Sequence, residues 1–248
     1  MIIMITSKQN SLIKEIRSLS DKKNRDKLGV YVIEGVKPVK EAVAKGLSIR
    51  DIIVSEKAGQ IFVDCTLNVQ VVSDEVFKSV SEEVCPQGAL AVVYKPQTEL
   101  IAPKGSCILL DGVSDPSNVG AIIRTAVASG YNDLYMTEDC ADAYSQKAVR
   151  CSMSGVFRLN IMRANIDEIL KVISIPICVA DMGGQNVFNL KNDKDVCLVI
   201  GNEGHGVSQK VKDRADIIVS IPMQNQMESL NASVSAGILM YALKNHNN

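Results

Sequence analysis

The chain has 248 residues, 46% of them hydrophobic and 22% charged, with no Trp, six Tyr and four Phe, so its core must be aliphatic. No apolar run approaches the roughly 18 residues that cross a bilayer, and Met1 to Ser20, broken by Lys8, Lys14 and Arg17, lacks the h-region of a signal peptide. A soluble, cytoplasmic protein is the expectation. The seven Cys are scattered without a C-x-x-C pair, which predicts buried free thiols, and two His leave little room for a His-based zinc site or a Ser-His-Asp triad. No metal is expected.

The formal net charge of −1 conceals an asymmetry: residues 1–50 carry 11 Lys/Arg against 5 Asp/Glu, and residues 51–100 carry 3 against 8. A basic N-terminal fifth fits a surface that meets phosphates, with Lys8, Lys14, Arg17 and Arg25 as candidate contacts. A solvated helix face laced with charge pairs accounts for the same residues.

In chain order, Leu12, Ile13, Ile16 and Leu19 at helical spacing predict an amphipathic helix over 7–19. Strands are expected over 30–33, 51–55, 70–73 and 89–94, and helices over 36–45 and 74–80, the latter opened by Ser73 or Asp74. This first module spans 1–95. Pro96 and Pro103 mark a linker over 96–104. The second module, 105–248, repeats strand, loop and helix more strictly. Its strands are expected at 107–110, 133–137, 177–180, 196–200 and 217–221. Its helices are expected at 118–129, 146–153, 166–173, 208–214 and 229–244. Continuous apolar strands alternating with helices predict a parallel sheet covered on both faces, with ligands at loops beyond the strand C-termini.

Three such loops hold the unusual residues. The first, Asp111 to Asn118, runs into a helix carrying Arg124, which can grip a phosphate or pair with Asp111 or Asp115. The second, Gly201-Asn202-Glu203-Gly204-His205-Gly206, follows an apolar strand and permits close backbone approach to a ligand, or makes a tight turn and nothing more. The third, Ile221-Pro222-Met223, precedes Ser229-Leu230-Asn231 and a helix that is apolar or small nearly all round. In that helix Leu230, Val234, Ile238 and Tyr241 form one stripe, which suits either a subunit interface or a central core position. A nicotinamide oxidoreductase is disfavoured because Leu110-Asp111-Gly112-Val113 does not begin a G-x-G-x-x-G fingerprint.

In combination and order, Asn-x-Gly-x-x-x-Arg-Thr-Ala (118–126), Gly-Asn-Glu-Gly-x-Gly (201–206), Ile-Pro-Met (221–223) and Ser-Leu-Asn-x-Ser-x-Ser-x-Gly (229–237) closely resemble the three motifs of the SpoU (TrmH) ribose methyltransferases of the SPOUT superfamily. The resemblance covers about 105–245. Ile5 to Lys14 and Tyr31-Val-Ile-Glu34-Gly35 are similar to that family's RNA substrate-binding domain, itself resembling a ribosomal-protein fold.

The resemblance implies an α/β catalytic domain with a deep trefoil knot, homodimers through the last helix, and S-adenosylmethionine held by Gly201, Asn202, Ile221, Met223 and Leu230. It implies methylation of a ribose 2′-hydroxyl, in ribosomal RNA rather than transfer RNA, with Arg124 at the reacting sugar and Asn118, Glu203, Ser229 and Asn231 orienting the groups around it. A transfer RNA 2′-O-methyltransferase and a non-catalytic RNA-binding protein of the same fold are the alternatives. Two positions depart from the family pattern: Val127, where many relatives carry an acid, and Ser154-Gly155, where the order Gly-Ser is expected.

Overall fold

The computed structural model describes residues 4–62, 67–190, 194–224 and 229–244. Two compact units emerge, one of residues 1–97 with 144–154, the other of 98–143 with 155–248.

In the first unit, helices α1 (Ser11–Ser18) and α2 (Lys22–Leu28) precede β1 (Val30–Glu34), followed by α3 (Val36–Ala44), β2 (Ile49–Ser55), β3 (Val69–Val72), α4 (Asp74–Lys78) and β4 (Ala89–Tyr94). The sheet order is β1-β4-β2-β3, with β4 antiparallel to both neighbours and β2 parallel to β3. Val30 and Val32 of β1 pack with Ile13, Ile16 and Leu19 of α1 and with Val76 and Phe77 of α4. That arrangement is what the i, i+3 apolar spacing of α1 requires.

Helix α2 has no counterpart in the sequence reading. Its sequence, KKNRDKL, offers no apolar periodicity, but Asp21 caps its N-terminus and Gly29 ends it in a left-handed conformation. Here one expectation is corrected. Arg25 is 3% exposed and donates 2.7 Å hydrogen bonds to the carbonyls of Leu19 and Ser20 at the end of α1. Its guanidinium satisfies helix-terminal acceptors and is not available to RNA.

The second unit opens with β5 (Cys107–Asp111), α5 (Pro116–Ala128) and β6 (Asp133–Met136). The chain then contributes α6 (Gln146–Cys151) to the first unit, where Tyr144 lies 5.0 Å from Tyr31 between ring centroids and α6 packs on β1. The sequence reading assigns this segment to the second module, because the pattern of α6 does not say against what it packs. The second unit resumes with β7 (Asn160–Arg163), α7 (Ile166–Val172), β8 (Ile177–Asn186), β9 (Cys197–Gly201), α8 (Gln209–Lys212), β10 (Ile217–Ser220) and α9 (Ala232–Leu243).

All six strands of its sheet are parallel, in the order β10-β8-β9-β5-β6-β7. Leu109, Tyr135, Val179 and Val199 share one core with Ile169 of α7 and Val211 of α8. Several boundaries move from expectation. Asp115 caps α5, which therefore starts at Pro116, and Asn231 caps α9, which starts at Ala232 rather than Ser229. Strand β8 runs six residues further than expected, its polar second half pairing with β10 after a register shift. Strand β7 was not anticipated. Cys107, Cys140, Cys178 and Cys197 are buried as expected, whereas Cys85 is exposed and Cys65 lies outside the described residues.

Candidate functional site

In a parallel sheet every strand delivers its following loop to the same edge, so the loops after β5, β9 and β10 share one side of the second unit. Hydrogen bonds join them. The Glu203 carboxylate accepts from the Ser114 backbone N–H (3.1 Å), the Ser114 hydroxyl (2.9 Å), the Asp115 N–H (3.3 Å) and the Asn118 amide (2.8 Å). The Asn118 carbonyl oxygen in turn accepts from the Asn231 amide at 3.0 Å. The other end of Asn231 caps α9, accepting from the backbone N–H groups of Ser233 and Val234 and from the Ser233 hydroxyl. One polar chain, Glu203 to Asn118 to Asn231, therefore ties together residues 85 and 113 positions apart in sequence.

Partial burial works to raise the pKa of Glu203, but the hydrogen bonds from Asn118 and Ser114 outweigh it and hold it down at about 2. The carboxylate is thus ionised at neutral pH with its lone pairs committed.

The glycine loop is built by close approach. A Cβ on Gly201 would sit 2.3 Å from the carbonyl carbon of Gly206 and from the nitrogen of Val207. Asn202 and Gly206 exchange two backbone hydrogen bonds of 3.0 and 2.9 Å, and the Asn202 side chain reaches the carbonyl of Gly112 at 2.7 Å. Asp111, one of the partners considered for Arg124, instead accepts from the Ser208 N–H at 2.7 Å. Asp115, the other, is occupied at the start of α5, where it accepts from Ser117.

Arg124 is exposed on α5, while Ile122, Ile123 and Ala126 are buried. Among the described residues its guanidinium makes no hydrogen bond or ion pair. Ile221, Met223 and Leu230 are half-buried, and their backbone N–H groups have no hydrogen-bond partner among the described residues. Ser229 is exposed beside Leu230. Backbone N–H groups at these positions could donate to the adenosyl part of a nucleoside cofactor. No cluster of three or more His, Cys, Asp or Glu able to hold a metal occurs among the described residues.

Of the basic candidates in the first unit, Lys8 pairs with Glu75 at 2.5 Å and Arg17 bonds Ser79, all at exposed positions, while Lys14 is exposed without a partner among the described residues. Sequence reasoning missed Ser114, whose backbone and hydroxyl both serve Glu203; it sits in the first loop with no signature of its own.

Residues 105–241 match the SpoU rRNA Methylase family, and residues 10–91 match the MRM3-like substrate binding domain. A Bacillus subtilis protein named 23S rRNA (guanosine(2553)-2′-O)-methyltransferase RlmP is 32% identical over 247 residues, covering 97% of this chain and 98% of the relative. The AdoMet-bound rRNA methyltransferase from Sinorhizobium meliloti has a similar structure, with a TM-score of 0.90 at 27% identity, covering 100% of this chain and 99% of the other. The SpoU methyltransferase AviRb of Streptomyces viridochromogenes, solved with AdoMet, gives a TM-score of 0.84 at 26% identity over 94% of this chain and 97% of that one.

Proposed function

Because the chain belongs to the SpoU rRNA Methylase family, we propose that its second unit transfers the methyl group of S-adenosylmethionine to a ribose 2′-hydroxyl of ribosomal RNA, with the first unit binding that RNA. The observation that carries this reading is the polar chain from Glu203 through Asn118 to Asn231, which brings all three motif loops to one edge of the sheet. Beside it stand the backbone amides of Ile221, Met223 and Leu230, which have no hydrogen-bond partner among the described residues.

When bound, the cofactor supplies a methyl group already activated on a sulfonium. The residues of this chain place the acceptor and stabilise the charge that develops on it. Gly201, Asn202, Ile221, Met223 and Leu230 hold the cofactor, chiefly through the backbone. Arg124 binds the phosphate next to the target ribose and sets the hydroxyl in line with the methyl, a placement worth several kcal/mol. A guanidinium has no lone pair to offer as a base, but beside the 2′-oxygen it stabilises the negative charge that develops as the hydroxyl proton passes to solvent water. Glu203, ionised and with its lone pairs committed, is an organiser of the first loop rather than a proton acceptor. Asn118, Asn231 and Ser229 orient the ribose and Arg124.

Lys8, Lys14 and Arg17 are the phosphate contacts of the first unit in this reading. The 2′-hydroxyl distinguishes the RNA substrate from DNA. A trefoil knot in the second unit, a cytoplasmic location and a homodimer through α9 complete it. The dimer is supported by Val234 and Tyr241, which remain 50% and 47% exposed on an otherwise apolar helix. No helix among the described residues is long and apolar enough to cross a membrane.

The test is to incubate purified protein with labelled S-adenosylmethionine and separated ribosomal and transfer RNA, then map 2′-O-methyl sites. Label in ribosomal RNA at one nucleotide, lost in Arg124→Ala, is expected. Label in transfer RNA alone would reassign the substrate, and tight RNA binding without any transfer would mean a binding protein.

A further inference from the structure

The chain between α6 and the second unit carries two consecutive non-glycine residues in left-handed backbone, Met153 at φ 47° and Ser154 at φ 69°. Left-handed backbone is costly for an L side chain, and such conformations persist only where the surroundings enforce them. Glycine would remove that cost at either position. The glycine stands instead one residue later, at 155, where φ is not left-handed.

What position 155 demands is proximity. A Cβ there would lie 3.1 Å from Ile123 Cγ2 and 3.4 Å from both the Cα and the backbone nitrogen of Arg124. Gly155 opens a 3-10 turn, Gly155–Phe157, that packs on α5, with Gly155 and Val156 buried. The preceding residues belong to the first unit. Gln146, Ala148 and Val149 of α6 are buried, as are Ser152 and Ser154, and the Arg150 guanidinium lies 3.9 Å from the Glu82 carboxylate.

We propose that Gly155 is a positioning residue for the methyl transfer: seated without a side chain against the Ile123 side chain and the Arg124 backbone, and entered through the left-handed pair Met153-Ser154, it sets where α5 presents the Arg124 guanidinium. This deepens the reading above and rests on it. The inverted Ser-Gly order at 154–155 has a physical reason on this view. The absence of a Cβ is used where it admits the helix that carries Arg124, and the backbone cost is left at 154.

The experiment uses the full chain, ribosomal RNA and saturating S-adenosylmethionine, reading the single-turnover rate, the Kd for cofactor by calorimetry and the Kd for RNA. Gly155→Ala is expected to lower the single-turnover rate by about ten-fold, because small displacements of a positioning group are expensive, while both Kd values stay within about two-fold. Combining it with Ile123→Leu, which moves the branch off Cβ and removes the Cγ2 contact, is expected to restore most of the rate. Ser154→Gly, which adds no atom and loosens the joint, is expected to lower the rate about three-fold without loss of stability, and it serves even where Gly155→Ala does not fold.

A wild-type rate in Gly155→Ala or in Ser154→Gly overturns the inference. So does a fall in rate that tracks a matching loss of cofactor affinity, or failure of Ile123→Leu to rescue. If the wild-type protein methylates RNA and Arg124→Ala does so equally well, the inference fails while the assigned activity stands. If the wild-type protein methylates no RNA, both fall.

Discussion

Replacing Glu203 by Gln isolates what its charge does for the site. The carboxylate gathers four hydrogen bonds from three residues, and its pKa is held down at about 2, against 4.5 for an unperturbed Glu. Full linkage would make that difference worth at most about 3.4 kcal/mol. The side chain is exposed, so solvent screening reduces the contribution to about 1–2 kcal/mol. Gln keeps one acceptor oxygen and turns an NH2 group toward the donors of Ser114 or Asn118, so it forfeits most of this. The thermal midpoint should drop by about 3–6 °C at pH 7.

The sign follows from the direction of the shift. A carboxylate whose folded pKa is depressed contributes stability that is fully present above its unfolded pKa, near 4.5, and is lost as pH falls toward 2. The gap between wild type and Glu203→Gln should therefore be constant from pH 7 to about 5.5 and about half as large near pH 3.3, read by denaturant titration at each pH. A gap that is absent at pH 7, or that does not shrink in acid, would refute the reasoning.

Ser154→Gly should raise stability by about 0.5 kcal/mol by removing the left-handed penalty, net of glycine's extra chain entropy, whereas Ser154→Ala should bring no gain; urea titrations distinguish the two. Gly201→Ala must part residues 201 and 206, breaking the paired bonds between Asn202 and Gly206, and should weaken cofactor binding by at least about ten-fold in calorimetry while the circular dichroism spectrum is retained. Arg25→Ala should destabilise the first unit by about 1–3 kcal/mol, because the buried carbonyl of Leu19 and the part-buried carbonyl of Ser20 lose a charged donor. Lys14→Ala should change stability by less than about 0.5 kcal/mol yet lower RNA affinity and reduce the salt slope by about one. Finding those last two effects exchanged would return Arg25 to the RNA surface.

What could be read without coordinates was whatever periodicity or motif encodes. The apolar runs around Leu109, Leu134 and Val199 announce strands buried on both faces, and the order of the three loops announces the family. Properties set by a partner distant in sequence were not legible. Lysine and arginine counts treat Arg25 and Lys14 alike, although one is locked beneath the end of α1 and the other faces solvent. Helix α2 holds its shape through Asp21 and Gly29 rather than through an apolar stripe. Gln185 and Asn186 lie in strand through their pairing with Val219 and Ser220 of β10. The bond from Asn231 to Asn118 spans 113 positions and has no local sign, although the capping preference of Asn was available to set the start of α9 at Ala232.

The order of the polar chain along the polypeptide bears on when activity can arise during synthesis. Residues 118 and 203 emerge from the ribosome before residue 231, yet the Asn118 carbonyl has its partner only once the last of the three is made and α9 has begun to wind from it. A nascent polypeptide that has released everything through β10 would own the complete parallel sheet and still lack the clasp that unites its loops. Competence would thus come late, after the scaffold is in place.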